Sequence, residues 1–189
     1  EREKQAMFET GAKSIIEKIL PVLMGALRRL GGVSACIPAA NPKARKAIEK
    51  VAAEYPDVKI EVIDGGARRL LLAADCAVVA SGTATLEAAL HELPFALVYK
   101  VAWGTYFFAR MVLTIKYVGM VNILVDKPVT RELIQHDFNV ENCIAELERL
   151  TQPESRAKVL AEMQESMGRL GHGGAAAKAA EAVLSLFDV

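Results

Sequence analysis

A chain of 189 residues, 52% hydrophobic and 24% charged, is long enough to bury one sizeable core and too short for two. Lys+Arg and Asp+Glu balance at 23 each, which excludes the one-signed field that draws a protein to nucleic acid or to an anionic membrane surface, so any phosphate site has to be built locally. Cys36, Cys76 and Cys143 are widely spaced, with no CxxC and no His close by, a pattern of reduced core thiols and not of a metal centre or a disulfide framework.

In chain order, residues 6–8 read as a first strand. Residues 14–30 read as a helix with Ile15, Ile16, Ile19, Leu20, Leu23 and Leu27 on its apolar side, stopped by Gly31 and Gly32. A strand follows at 33–38, a helix at 43–55, a strand at 59–63 and a short helix at 67–74. The strand at 76–80 is almost wholly apolar, as a central strand covered on both faces should be. A helix at 85–91 and a strand at 95–99 complete the alternation. From residue 140 onward only helices are expected, at 140–150, 153–170 and 175–187, separated by Pro153 and by the turn Gly171-His172-Gly173-Gly174.

Short apolar runs alternating with helical segments predict an α/β fold: a parallel Rossmann-like sheet of about five or six strands. The chain is expected to form a single domain over 1–189, with 140–189 as a helical C-terminal extension that packs on its own sheet or reaches to another domain or subunit. Residues 1–5 lack the apolar run of a signal peptide, and no stretch reaches about 18 uninterrupted apolar residues. The expected location is cytoplasmic.

Ala80-Ser81-Gly82-Thr83-Ala84-Thr85-Leu86-Glu87-Ala88-Ala89-Leu90 follows the most apolar strand and opens a helix. Its form is that of a strand-loop-helix phosphate site. Gly82 lets a ligand approach the backbone, and Ser81, Thr83 and Thr85 offer hydroxyls beside the unpaired N–H groups of a helix start. In an open parallel sheet such a loop lies outside the carboxyl ends of the strands, where ligands bind. Glu87, near the end of the first turn, is placed to accept hydrogen bonds from ribose hydroxyls; it equally complements the helix dipole. Ser and Thr at a helix start also serve as plain caps.

The surrounding sequence is more specific. Ser81-Gly82-Thr83-Ala84-Thr85-Leu86-Glu87-Ala88-Ala89, then Pro94 and Val98-Tyr99-Lys100, resembles the donor loop of lipid A disaccharide synthases. Thr105-Tyr106, Lys116-Tyr117-Val118, Asn122-Ile123-Leu124 and Glu132-Leu133-Ile134-Gln135 follow in that family's order, and Gly173-Gly174-Ala175 precedes an Ala-rich helix as it does there. The resemblance runs from about Gly11 to Leu186. It implies the C-terminal, donor-binding half of an inverting, metal-independent GT-B glycosyltransferase with UDP-2,3-diacylglucosamine as donor and lipid X as acceptor. Ser81, Gly82, Thr83 and Thr85 would then hold the diphosphate together with Gly11 and Lys13, Glu87 the ribose, and Asn122, Glu132 and Gln135 would line the donor side of the cleft. Neither a cofactor nor a metal is implied. A homodimer through exchange of the helical tail and a peripheral contact with the inner membrane are implied as partners; nucleic acid is not.

Two departures stand out. Thr10-Gly11-Ala12-Lys13 occupies the place of the family's Pro-Gly-Ser-Arg loop, keeping the glycine and a positive charge but losing the bidentate guanidinium, and Arg131 replaces the proline before Glu132. The resemblance begins at the second domain, so the acceptor half and its general base are expected on residues other than these 189. Two other readings remain: a non-catalytic nucleotide-sugar-binding module that needs a separate acceptor domain, and another GT-B-like UDP-sugar enzyme such as a 2-epimerase.

The segment Trp103, Tyr106, Phe107, Phe108, Met111, Val112, Leu113 and Ile115, flanked by Arg110 and Lys116, reads either as a helix meeting acyl chains at a membrane interface or as one buried against a partner domain or a second subunit, the second being favoured. His91, His136 and His172 share no metal-ligand spacing. Arg68 and Arg69 fit a solvated helix face as well as a phosphate, and turn chemistry accounts for Asp64 and Asp75.

Overall fold

The computed structural model describes residues 2–80, 82–100, 116–170 and 174–185. Helix α1 (Arg2–Leu30) opens the chain and is closed by Gly31, whose N–H returns to the Leu27 carbonyl at 3.1 Å. Gly31 and Gly32 both take left-handed φ, 63° and 64°, which a side chain would resist. The strand expected at 6–8 is not formed: these residues, and the Thr10–Lys13 loop expected after them, lie inside α1. Arg2 to Met7 are all strong helix formers, and a three-residue strand without a neighbour to pair with cannot compete with that preference.

Beyond α1 the chain alternates as expected. Strand β1 (Ala35–Ala39) leads through α2 (Pro42–Ala52) to β2 (Ile60–Asp64), parallel to β1 with Cys36 opposite Glu61. Asn41 caps α2 by accepting from Ala44 N–H at 2.9 Å. After α3 (Ala67–Ala73) come β3 (Ala77–Val79), α4 (Gly82–Leu90), β4 (Phe95–Tyr99), α5 (Met120–Val125) and β5 (Glu132–Ile134). Helices α6 (Val140–Thr151), α7 (Pro153–Gly168) and α8 (Ala175–Leu184) follow.

All the strand pairs are parallel, but the described strands form two sheets, β1-β2 and β3-β4-β5, in place of the single sheet expected. The strand expected to be central, at 76–80, is the edge strand β3; the central position belongs to β4, where Phe95, Ala96, Leu97 and Val98 are all buried. Two apolar clusters sandwich this three-stranded sheet. Phe95 and Leu97 belong to one with Ala88 of α4, Val121 of α5 and Val159 and Met163 of α7, while Val98 and Leu133 belong to the other with Ile19 and Ala26 of α1 and Cys143 of α6. Helices on both faces of a parallel sheet are the doubly wound arrangement of a Rossmann-like domain.

Helix α1 carries a second stripe. Leu20 and Met24, one turn apart, pack with Ala39 of β1, Ile48 and Val51 of α2 and the inward side of β2. One helix thus joins both sheets. The helical extension divides: α6 packs on β4 and on α7, and α7 packs on α4 and α5, whereas the described side chains of α8 are exposed, Val183 and Leu184 among them. Arg131 approaches Glu146 to 4.0 Å, and Arg149 grips the same wholly buried carboxylate at 2.6 and 2.9 Å. The thiols divide too, Cys143 being buried and Cys36 exposed, so the expectation of core positions fails for Cys36.

Met24 is fully buried. Truncation to Ala is expected to cost about 3 kcal/mol, the usual range for deleting a buried large side chain. Denaturant unfolding measures that loss, and amide exchange should loosen in β1 and β2 more than in β4.

Candidate functional site

The loop between β3 and α4 is the strand-to-helix junction that the sequence singles out. Ser81 lies outside the described residues. The helix begins at Gly82, three residues before the expected start, so Gly82 and Thr83 form its first turn with the backbone N–H groups that no helical carbonyl can reach. The shift moves the other two residues. Thr85 is fully buried, facing the core, and Glu87 stands exposed in the second turn and not at the end of the first. No described buried side-chain nitrogen or oxygen lacks a hydrogen-bond partner, so the Thr85 hydroxyl is satisfied within the protein.

Gly11 and Lys13, expected beside this loop, belong to the helical backbone of α1. Their backbone N–H groups are therefore part of a helix, and the correction removes the expected loop from that part of the site.

The downstream residues come together more closely than sequence reasoning anticipated. Asn122, at no exposure, donates from Nδ2 to the Thr130 carbonyl at 2.8 Å and to Glu132 Oε1 at 2.9 Å, and accepts at Oδ1 from Thr130 N–H at 2.9 Å. Glu132, the first residue of β5, also accepts from Gly119 N–H at 2.8 Å and from Val118 N–H at 2.9 Å. Gln135 leaves the end of β5 with a left-handed φ of 53°, is buried, and donates its N–H to the Tyr99 carbonyl at 2.9 Å. Thr130 was missed by sequence reasoning. Its signal was the Asn in the apolar run Val121-Asn122-Ile123-Leu124, since a buried amide needs fixed partners nearby.

Lys116 lies 4.9 Å over the Tyr117 ring and 3.3 Å from Asp126, and hydrogen bonds to Tyr117 and Asp126 hold its ammonium group above its usual pKa. The aromatic segment from Trp103 to Ile115 lies outside the described residues. A separate open cleft of about 500 Å³ lies between α1 and the start of α6, lined among others by Arg28, Arg29, Lys100, Phe138 and Glu141. Its charges are largely matched, Arg28 by Asp57 and Arg29 by Glu141 at 2.7 Å. Burial pushes the Cys143 thiol up to about 11, which keeps it protonated and unreactive. Among the described residues no group of three His, Cys, Asp or Glu side chains is placed to hold a metal ion, and no helix is long and apolar enough to cross a membrane.

The family model described as Lipid-A-disaccharide synthetase matches residues 8–186, spanning the α4 loop and the Asn122–Glu132 network alike. The chain belongs to the lipid-A-disaccharide synthase family. The members of this family are glycosyltransferases of lipid A biosynthesis. Similar relatives include the lipid-A-disaccharide synthase of Anaeromyxobacter dehalogenans, 34% identical over 96% of this chain and 49% of that protein. That of Myxococcus xanthus is 36% identical over 90% of this chain and 46% of that protein, and that of Syntrophus aciditrophicus 36% identical over 96% and 49%. The chain therefore spans about half the length of the curated relatives it matches.

The burial of Thr85 and the exposure of Glu87 separate two kinds of residue in one motif. Thr85→Val should lower stability by about 1–2 kcal/mol through the lost buried hydrogen bond. Glu87→Gln should leave stability within about 0.5 kcal/mol of the parent, as surface changes do. Chemical denaturation of both variants measures the contrast.

Proposed function

We propose that this chain supplies the UDP-sugar donor site of an inverting glycosyltransferase that moves 2,3-diacylglucosamine from UDP to lipid X, forming the lipid A disaccharide. The observation that carries the reading is the opening of α4 at Gly82, directly after β3, inside the region that matches the family. Ser81, Gly82 and Thr83 hold the diphosphate against the free N–H groups of the first turn, and exposed Glu87 receives the ribose hydroxyls. Thr85 supports that turn from the core side. As the glycosidic bond breaks, negative charge grows on the UDP leaving group, and donors already aimed at it stabilise that charge without a metal.

Glycosyl transfer needs both substrates in near-attack geometry, so the acceptor and its general base are supplied by a second half. The extent of the relatives, about twice this chain, supports that division of labour. The match over residues 8–186 favours glycosyl transfer over UDP-sugar 2-epimerisation. The exposed apolar side chains of α8 suit an exchange of tails between two copies, and the 103–115 segment, whose favoured place is against a partner domain, also has the aromatic and basic composition of a peripheral contact with the inner membrane.

Calorimetry of the chain with UDP should show saturable binding that exceeds ADP and inorganic phosphate and is unchanged by magnesium. Thr83→Val and Glu87→Gln should each weaken UDP about tenfold, the equivalent of one good hydrogen bond. UDP bound no better than ADP, or both variants binding like the parent, would overturn the assignment.

A further inference from the structure

Asn122 spends its hydrogen-bonding capacity inside the protein, and partly buried Glu132 accepts from three groups there. The Asn122 amide uses both of its donors, on the Thr130 carbonyl and on Glu132, and its oxygen takes the Thr130 N–H at 2.9 Å and the Thr130 hydroxyl at 3.4 Å. Its orientation is fixed by this pattern, since the Thr130 N–H requires an acceptor and the Thr130 carbonyl a donor. With no exposed surface and every polar atom engaged, Asn122 has nothing left to offer a ligand.

Glu132 is placed to do a different job. Val118 N–H, Gly119 N–H and the Asn122 amide all point donors at one carboxylate, and the first two belong to the turn that opens α5. Gly119 is the N-cap residue of α5 and has no side chain with which to cap it. Glu132, at the start of β5, accepts the N–H groups of Val118 and Gly119 just ahead of the helix, where negative charge favours a helix start. Helix α5 has six residues, too few to stand on local preference, so its start depends on this anchor. The fit is close: a Cβ on Gly119 would meet Glu132 Oε1 and Leu97 Cδ2 at 3.2 Å each.

We propose that Glu132, held from beneath by Asn122, is a positioning residue for the donor site, acting through the 116–119 turn and the start of α5 and not by contact with the ligand. The path is short. Val121 of α5 shares a buried cluster with Ala88 and Ala89 of α4, the helix whose first turn carries the proposed diphosphate loop. Fixing the start of α5 therefore fixes one wall against which α4 is seated. The inference rests on the donor-site reading above, and replaces direct contact with indirect support for two residues of the motif.

The test compares the parent chain with Glu132→Ala and Glu132→Gln by amide hydrogen exchange without ligand and by UDP calorimetry. Val118 and Gly119 amides should be protected in the parent and exchange at least about tenfold faster in the Ala variant, with UDP weakened about tenfold. The Gln variant keeps an oxygen at the Oε1 position for Val118, Gly119 and Asn122, so it should recover part of both effects. Unchanged exchange at these amides in Glu132→Ala, or freed amides with undiminished UDP affinity, would overturn the role. UDP affinity lost equally in both variants with the amides still protected would instead mark Glu132 as a ligand contact. A parent that binds no UDP would overturn the donor reading, and this role with it; a parent that binds UDP while the Ala variant binds equally well would overturn the role alone.

Discussion

The burial of β4 on both faces is the constraint around which the rest is arranged. Phe95 and Leu97 point to one layer of helices and Val98 to the other, so neither layer can shift without opening the strand between them. Parallel strands need crossover connections, and those connections place α4 and α5 on one face while α1 and α6 close the other. The loop after β3 is then presented where a parallel strand hands over to a helix. Its chemistry, N–H groups and hydroxyls at the start of α4, follows from that placement and needs no net positive charge from a chain whose acids and bases balance.

A second constraint comes from polar groups buried beside this sheet. Asn122, Thr130 and Glu146 all have essentially no exposure, and each would cost free energy without a partner. Each solution ties together segments distant in sequence: Asn122 joins α5 to the chain entering β5, and Glu146 joins α6 to Arg131 at that same point. The Arg131 guanidinium, half exposed, adds a second positive charge near a carboxylate already gripped by Arg149.

Much of this was legible in the sequence because alternation and punctuation are local signals. The strand at 95–99 has the expected limits, and the helices expected from 43 and from 140 form at Pro42–Ala52 and Val140–Thr151. What failed depended on neighbours. Residues 6–8 have apolar character but no adjacent strand in the described structure, and helix preference prevailed. Helix α5 and strand β5, of six and three residues, are too short to carry a period, and they exist through packing on α4 and pairing with β4. The apolar run at 76–80 suggested a central strand, but apolarity reports burial and not neighbours, and β3 is covered without being central.

The same distinction bears on the site. Thr83, Thr85 and Glu87 look alike as motif letters, yet a helix that starts at Gly82 turns Thr85 into the core and leaves Glu87 in solvent, because residues two apart on a helix point in different directions. Asn122 and Glu132, ten residues apart, meet at 2.9 Å only because α5 folds back over the sheet to bring them together. One short motif therefore mixes side chains open to solvent with side chains closed into the core, and burial is what sorts one from the other. Here Thr85 is turned into the core and Glu87 into solvent, while Asn122 and Thr130 are buried in the α5–β5 network.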